Sequence, residues 1–315
     1  TIENITKDVF GELSPLTSYI SQKTLHGGVT VEATYIADSN ATVEHHRNYK
    51  LISNNGCTEL ITGGIVPRVE GGSTFEQSKD IFDGIAKMLS GNGFKPSDIY
   101  RQWNYIPGIT MLNDGSQNYQ EFNDARSIFY SCDNWENGYP AATGIGTSAG
   151  GVVVEICAIK GEPCANLPID NPLQIAAHIY SKSVLIDNAA DAVKSTPKFE
   201  RAKLIECAGG AYCFVSGTAA IRGEESVDPT SARLQTIKTI ENIEYLVSKE
   251  NLVRFGCKPY ELKYAFLHIF VKNREDYEAI RSVVEEAYPN VPALYSVADV
   301  CRSELLVEIE GILKS

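Results

Sequence analysis

Basic residues are scarce in this chain of 315 residues, in which 28 lysines and arginines stand against 40 aspartates and glutamates. The formal net charge of −12 disfavours nucleic acid as a partner, because phosphate groups are bound by basic surfaces. Any anionic ligand must therefore meet arginines that cluster locally.

Long apolar runs are also missing. No stretch approaches the length of a bilayer span, and the N-terminus shows no charged segment followed by an apolar signal core. We therefore expect a soluble, cytoplasmic protein with no membrane partner.

Cysteine pairs with metal-binding spacing are absent as well. The eight cysteines, at positions 57, 132, 157, 164, 207, 213, 257 and 301, form no Cys-x-x-Cys pair and no His-x-Cys cluster. Thiols scattered along a long chain are typical of the reduced state of a cytoplasm. Neither a disulfide framework nor a structural zinc site is therefore expected.

Signatures of a cofactor are equally lacking. His45 and His46 are neighbours, and neighbouring side chains of a strand point to opposite faces, so a polar loop explains them better than a metal site. No glycine-rich phosphate loop follows a strand and precedes a helix, since Gly144 and Gly146 lead into a strand instead. We expect no cofactor, neither a nucleotide nor a metal.

The chain does contain one order of elements that occurs twice. The first half predicts a strand over residues 28–38, a hairpin over 49–67, a helix over 74–91, a strand over 98–110, a helix over 117–131 and a strand over 151–159. The second half predicts a hairpin over 203–221, a helix from 229 to about 249, a strand over 262–271, a helix over 274–287 and a closing strand over 305–309.

Corresponding elements lie about 155 residues apart, which is typical of a duplicated domain rather than a solenoid. The predicted fold class is α+β, with two ββαβαβ halves that each form a mixed sheet with two helices on one face. We place the domains at residues 1–165 and 166–315. Residues 181–197 break the repeat and are expected to form a loop or short helix over the surface. Sites commonly form where two such units meet.

The closing strand, within residues 298–311, sets carboxylates beside apolar residues. Alternate side chains of a strand share a face, so Val307 and Ile309 are expected in the core, with Glu308 and Glu310 on the other face. In a closed cleft, desolvation and the neighbouring like charge both raise a carboxyl pKa, which suits a general acid. The alternative is an edge strand whose acidic face meets water.

Several blocks of the second half resemble the RidA (YjgF) family of enamine and imine hydrolases. They are the Ser-Gly-Thr at 216–218, Gln235 with the Glu-Asn at 241–242, and the Glu-Ile-Glu at 308–310. In that family an arginine a little ahead of the closing strand binds the substrate carboxylate. Residues 292–296 contain no arginine here, which argues against plain imine deamination.

The whole chain resembles the chorismatases, relatives of RidA that have an additional N-terminal half. The matching blocks span both halves in order and comprise residues 101–107, 118–126, 140–147, 170–174, 197–202 and 298–311. Six blocks in series are a specific signal, although residues 181–197 lack the proline- and glycine-containing connection expected of that family. The resemblance implies two RidA-like halves, with the catalytic residue in the second.

The resemblance also implies a reaction of secondary metabolism. Chorismatases cleave the enolpyruvyl ether of chorismate by general-acid protonation, giving pyruvate and a hydroxybenzoate or a dihydroxycyclohexadiene carboxylate. By resemblance Glu308 is the acid, Glu310 supports its pKa or binds a helper water, and Cys301 shapes the pocket as in the enzymes that form 3-hydroxybenzoate, the product we favour. The alternatives are a RidA-like enamine or imine deaminase and a non-catalytic binding protein for small metabolites.

Chorismate is a dicarboxylate, and a guanidinium group binds a carboxylate through two parallel hydrogen bonds. The candidates for this role are Arg126, with the hydroxyl of Tyr119 nearby on its helix, and Arg201. Arg101 and Arg302 are weaker candidates, for which a surface salt bridge is the better explanation.

Two further residues are expected at the substrate. Gly217 and Thr218 offer a strand end where the backbone approaches a ligand closely, although turn geometry alone would also explain the glycine. RidA relatives are trimers, so this chain is expected to be either a homotrimer or a monomer that imitates the trimer through its internal repeat.

Overall fold

The computed structural model describes residues 2–11, 15–25, 27–68, 71–113, 115–162, 164–181, 195–207 and 210–315. Most of the segment expected to break the repeat, residues 182–194, lies outside the described residues. None of the described helices is long and apolar enough to cross a membrane.

The first half contains a sheet of six strands. In chain order its elements are α1 (Ile2–Phe10), β1 (Lys23–Thr24), β2 (Thr42–His45), β3 (Tyr49–Asn54), β4 (Cys57–Thr62), α2 (Thr74–Gly91), β5 (Ile99–Pro107), β6 (Leu112–Asn113), β7 (Ser116–Gln117), α3 (Asn118–Tyr130), β8 (Ala141–Thr147) and β9 (Val153–Lys160). The sheet order is β2-β3-β4-β9-β5-β8, and β6 and β7 form a separate small hairpin.

The second half contains a sheet of seven strands. Its elements are β10 (Ala165–Ile169), β11 (Ala202–Cys207), β12 (Gly210–Thr218), β13 (Ile221–Arg222), β14 (Glu225–Ser226), α4 (Ala232–Leu246), α5 (Lys249–Arg254), β15 (Lys263–Val271), α6 (Tyr277–Ala287), β16 (Ala293–Val297) and β17 (Val307–Lys314). The order is β1-β16-β15-β17-β12-β11-β10, so that β1 of the first half joins this sheet.

Local sequence signals explain the elements that were predicted. The hairpin of β3 and β4 turns at Asn55 and Gly56, both at positive φ, as the Asn-Asn-Gly pattern predicts. Helix α2 begins with a capping box in which Ser73 accepts from the backbone N–H of Glu76 while the Glu76 side chain accepts from Ser73. Its apolar stripe, which includes Ile81 and Ile85, is buried against the sheet.

The predicted fold class is confirmed, and each half has more strands than its predicted ββαβαβ pattern contains. Among the added strands, β8 and β16 each pair in parallel with the strand that precedes the second helix of their half, β5 or β15. Strand β8 contains Gly144 and Gly146, which depress β propensity, and β16 has only five residues. The division into domains at residue 165 stays a prediction.

Two predicted strand features are wrong. Residues 28–38 form no strand and are exposed, with Tyr35 at 85% exposure. Alternation alone does not make a strand, and this segment pairs with none of the described strands. The closing strand begins at Val307 and lies centrally between β12 and β15, so its acidic face does not belong to an edge strand.

The expectation that every cysteine is a reduced thiol is also wrong. Cys57, at the start of β4, forms a disulfide with Cys164, and their Cα atoms are 6.4 Å apart. The two residues are separated by 107 positions, so spacing along the chain gave no sign of the bond. The ladder of β4 and β9, in which Thr58 pairs with Lys160, brings them together.

The halves meet along β8 and β12. Ile145 of β8 packs in a small apolar cluster with residues of the second half, among them Phe270, Val300 and Leu305. Hydrogen bonds cross the same boundary: the backbone N–H of Ala142 donates to Oγ of Ser216 at 2.9 Å. This boundary positions the candidate site.

Candidate active site

A pocket opens between helix α3 of the first half and strands β12 and β17 of the second. Its walls comprise Gln117, Tyr119, Gln120, Asn123, Tyr180, Pro197, Phe199, Arg201, Gly217, Ala219, Ile221, Cys301, Arg302, Leu305 and Glu308. Both halves therefore contribute to one site, as the repeat predicts.

Glu308 is the carboxyl group of this pocket. It lies in the second position of β17, opposite Phe270 of β15, and is 4% exposed. Burial, followed by the charge of the neighbouring Glu310, raises the pKa of Glu308 to about 8, against the opposing effects of Arg101 and Arg201. The group is therefore largely protonated at neutral pH, as a general acid requires.

A β-bulge makes room for this carboxyl group. Val215 pairs with Gly311 and Thr218 with Ile309, so β12 has one residue more than β17 over this stretch. Gly217 lies in the bulge, where a Cβ atom would overlap Oε1 of Glu308. Thr218 is buried and donates its hydroxyl to the carbonyl of Ser216, which places its side chain in the bulge rather than in the pocket wall.

Glu310 points into a buried polar network behind the pocket. It forms an ion pair with Arg101, and it accepts hydrogen bonds from the hydroxyl of Thr143 and from Nε1 of Trp103, the latter at 3.1 Å. Arg101 is 2% exposed, so the expected surface salt bridge is wrong for this residue. Thr143 also accepts from the backbone N–H of Gly217 at 3.0 Å, which connects the network to the bulge.

Two arginines bring positive charge to the pocket wall. Arg201 donates to the carbonyl of Ile175 at 2.9 Å and to the hydroxyl of Tyr180 at 2.6 Å, and its Nε has no partner among the described residues. Arg302 donates to the carbonyl of Glu224 at 2.8 Å. Both guanidinium groups lie over the ring of Tyr180, at 5.7 and 5.5 Å from its centre. No described carboxylate lies within 4.0 Å of either.

Arg126 lies one layer behind the wall. It is fully buried and donates to Oδ1 of Asn123 at 2.6 Å, and Asn123 itself lines the pocket. Its guanidinium group lies 5.4 Å from the ring centre of Phe122, and Nε finds no partner in the described part of the chain. A direct contact between Arg126 and a ligand stays a prediction.

Tyr119 and Cys301 line the pocket as neutral groups. Burial is the main cause that raises the pKa of the Tyr119 phenol well above its usual range, so it remains a hydrogen-bond donor. Burial also raises the pKa of Cys301 to about 12, with a smaller contribution from Glu308. A thiol that keeps its proton is a poor nucleophile, so this geometry suits a role in pocket shape.

The sequence did not identify several residues of the wall. Tyr180 and Phe199, which contact Arg201, lie in the irregular stretch between the halves, where no periodicity marks them. Phe199 does fall within a block that matches the chorismatases, so the resemblance was the one available signal for it.

Comparisons with known proteins identify the family of this chain. Residues 34–158 match a family model described as chorismatase FkbO/Hyg5-like, N-terminal. A 3-hydroxybenzoate synthase from Streptomyces hygroscopicus is 33% identical over 247 residues, which cover 76% of this chain and 69% of that protein. The chain belongs to the chorismatase family. Its relatives there are enzymes, and the resemblance seen in the six sequence blocks is confirmed.

Two further members of this family give the same result. A chorismatase from Streptomyces rapamycinicus is 31% identical over 259 residues, covering 79% of this chain and 73% of that protein. A crystal structure of a chorismatase superposes with a TM-score of 0.72, over 86% of this chain and 78% of the other, at 24% sequence identity. That superposition establishes the shared fold.

Proposed function

We propose that this protein cleaves the enolpyruvyl ether of chorismate and releases pyruvate without a cofactor. The observation that carries the proposal is Glu308, a buried carboxyl group with its pKa raised to about 8 in a pocket whose wall holds two arginines. Such a group offers a proton at neutral pH, and the arginines attract a substrate with two carboxylates.

The reaction begins with transfer of the Glu308 proton to the terminal methylene carbon of the enolpyruvyl group. This step forms an oxocarbenium ion and leaves Glu308 as a carboxylate, which stabilises the positive charge beside it. Capture of the cation by water or by the neighbouring ring hydroxyl forms a new C–O bond. The attacking oxygen releases its proton, which restores the acid, and pyruvate leaves in the steps that follow.

The product depends on which oxygen captures the cation. Capture by external water gives a hemiketal, which collapses to pyruvate and a dihydroxycyclohexadiene carboxylate as the ether bond breaks. Capture by the ring hydroxyl gives a cyclic ketal. The bond between the ring and the former hydroxyl oxygen then breaks, the neighbouring ring carbon loses its proton to make the ring aromatic, and pyruvate leaves with that oxygen as its carbonyl oxygen, so that the ether oxygen takes up the proton and stays on the ring as the hydroxyl of 3-hydroxybenzoate. We favour 3-hydroxybenzoate because Cys301 lines the pocket as a compact, neutral side chain and because the similar Streptomyces hygroscopicus protein carries that product in its name.

The remaining residues bind and orient the substrate. Arg201 and Arg302 face the pocket without a described carboxylate partner, and they are assigned to the substrate carboxylates. Tyr119 donates a hydrogen bond from its phenol, and Arg126 contributes positive charge from behind Asn123. The ion pair with Arg101 holds Glu310 next to the acid. The charge of Glu310 favours the protonated form of Glu308, and the charge of Arg101 opposes it.

The test is incubation of purified protein with chorismate, with pyruvate followed through a lactate dehydrogenase assay and aromatic products separated by chromatography. We expect stoichiometric pyruvate and 3-hydroxybenzoate from the wild-type protein and none above background from Glu308→Gln. An unchanged far-ultraviolet circular dichroism spectrum of the variant would exclude misfolding. Absence of pyruvate with hydrolysis of an enamine substrate would replace the proposal with deamination.

A further inference from the structure

Three cysteines gather at the boundary between the two sheets. Cys57 begins β4 of the first sheet, Cys164 precedes β10, and Cys207 ends β11 of the second sheet. The sulfur atoms of Cys164 and Cys207 are 3.1 Å apart, and all three sulfur atoms lie within 4.8 Å of one another. None of the three lines the pocket that contains Glu308.

The backbone brings these residues together in a defined way. Ala165 pairs with Glu206 in the ladder of β10 and β11, so Cys164 and Cys207 continue that ladder opposite one another. Gly161 lies at a φ of +141°, and a Cβ atom there would overlap the carbonyl of Gly56. The chain therefore passes tightly over the turn before Cys57, which places Cys164 beside it.

The disulfide between Cys57 and Cys164 does not by itself explain why the thiol of Cys207 lies beside it. Cys57 and Cys164 suffice to form the disulfide, and a thiol as close as that of Cys207 makes such a bond prone to exchange. After reduction, the same three residues present three thiols to one point in space. Three thiolate ligands with an open fourth position are a donor set that Zn²⁺ accepts.

The charge of the surroundings also calls for a cation. Three thiolates within 4.8 Å of one another would place three negative charges at one point. Glu59 lies two positions after Cys57 on the same strand face. Three thiolates beside this carboxyl group would repel one another unless a bound cation neutralised them.

We propose that Cys57, Cys164 and Cys207 of the reduced protein bind one Zn²⁺ ion through three thiolates, with a non-protein ligand in the fourth position. A dithiol reductant supplies two electrons and two protons that break the disulfide, and it leaves as its own disulfide. Binding of Zn²⁺ then releases three protons from the three thiols. The disulfide and the metal-bound form exclude one another, and the ion replaces the covalent link between the two sheets.

This site differs from the expectation of no metal, which rested on the absence of Cys-x-x-Cys pairs. The ligands are 107 and 43 positions apart along the chain, so that only the packed halves assemble them. The site is independent of the proposed chorismate chemistry, since its residues and the pocket residues are different sets.

The experiment is a titration of the full-length, metal-free protein with Co²⁺ under a phosphine reductant, followed by displacement with Zn²⁺. Wild-type protein is expected to bind one equivalent and to show the near-ultraviolet absorption of cobalt–thiolate charge transfer. The band should be lost in Cys57→Ser, Cys164→Ser and Cys207→Ser and retained in Cys132→Ser, a matched variant at an exposed free cysteine. Unreduced wild-type protein should give no band.

Cys207→Ser is the decisive variant because it leaves the disulfide pair intact. A full band in that variant, or no band in reduced wild-type protein, would overturn the proposal. Thermal melting of the reduced wild type with and without Zn²⁺ adds a readout that needs no variant. A ligand that binds only the folded state raises the melting temperature, so an unchanged melt at saturating Zn²⁺ would also count against the site.

Discussion

The carboxyl group of Glu308 fills the space that a side chain at Gly217 would occupy. The two residues lie on the adjacent strands β17 and β12, and the bulge in β12 places the Cα atom of Gly217 against Oε1 of Glu308. The position of the proposed acid is therefore set by the absence of a side chain on the neighbouring strand. Position 217 therefore requires a glycine to leave room for the carboxyl group. The backbone N–H of Gly217 also donates a hydrogen bond to the hydroxyl of Thr143.

Gly217→Ala should consequently damage catalysis more than stability. The added methyl group must displace the Glu308 carboxyl group. The other close neighbour is Thr143, which its hydrogen bonds with Gly217 and Glu310 hold in place. Overpacking costs about 1–3 kcal/mol of unfolding free energy, and loss of a placed general acid lowers the rate by about 10²- to 10⁴-fold. The measurements are kcat for pyruvate release and chemical unfolding.

Gly84→Ala is the control for that substitution. Gly84 lies in helix α2, and a Cβ atom there meets nothing within 4 Å. It should keep full activity and gain up to about 1 kcal/mol from helix propensity. Equal kcat values for the two alanine variants would contradict the role of the Gly217 space.

Activity should fall as pH rises through about 8, because the proton on Glu308 is lost in that range. The measurement is kcat/KM for pyruvate release across pH 6 to about 10. Glu310→Gln should move this alkaline limb to lower pH, since the charge of Glu310 raises the pKa of Glu308 and Arg101 would be left to lower it. Glu241→Gln, at an exposed salt bridge, should leave the limb in place.

The same carboxyl group links stability to pH. The ordinary pKa of this side chain is 4.5, and the folded protein holds its proton up to about pH 8. Between these values the folded state binds more protons than the unfolded state, so the unfolding free energy decreases as pH rises through this window. Glu308→Gln should remove a contribution on the order of a few kcal/mol to the total decrease across this window. Urea unfolding at pH 6 and pH 8.5 compares the two proteins; parallel slopes would contradict the shift.

Removal of one partner of the Arg101–Glu310 pair should destabilise the fold strongly. Both side chains are buried, and a buried charge without its partner costs about 3–5 kcal/mol. We expect that cost in Arg101→Met and a smaller one in the double variant Arg101→Met/Glu310→Gln, which leaves neither charge. Chemical unfolding of the wild type, Arg101→Met, Glu310→Gln and the double variant completes the double-mutant cycle. Additive losses would show that the two groups do not depend on one another.

Sequence patterns predicted the elements that local chemistry determines. Helix α2 was predictable because its apolar stripe is local, and its cap is Ser73, one residue before the predicted start at residue 74. Strand β8 was not, because its glycines serve tertiary contacts: a Cβ atom at Gly146 would press against Asp299, and one at Gly144 would lie 3.2 Å from Tyr119. The two glycines that lower the β propensity of this segment are therefore the residues that allow the halves to pack.

The site shows the same division. Alternation along the closing strand correctly placed Glu308 and Glu310 on one face and away from the core of Val307 and Ile309. The ion-pair partner of Glu310 could not be predicted from the sequence. Arg101 lies 209 positions away, and only the packing of the two sheets brings the two residues together. Long-range pairs of this kind, including Cys57 with Cys164, depend on packing that no local pattern records.

Loss of the pocket arginines should affect substrate affinity more than the proton transfer itself. A hydrogen bond to a charged group contributes about 1.5–3 kcal/mol, so Arg201→Gln and Arg302→Gln should each lower kcat/KM by about 10- to 100-fold, mostly through KM. Arg201→Lys should recover little, because an ammonium group cannot reproduce the two parallel bonds of the fork. Arg254→Gln, at an exposed helical salt bridge, is the matched loss of one positive charge and should change neither parameter. If Arg302→Gln lowered kcat with an unchanged KM, this guanidinium would act on the transition state alone, because uniform binding of substrate and transition state appears in KM.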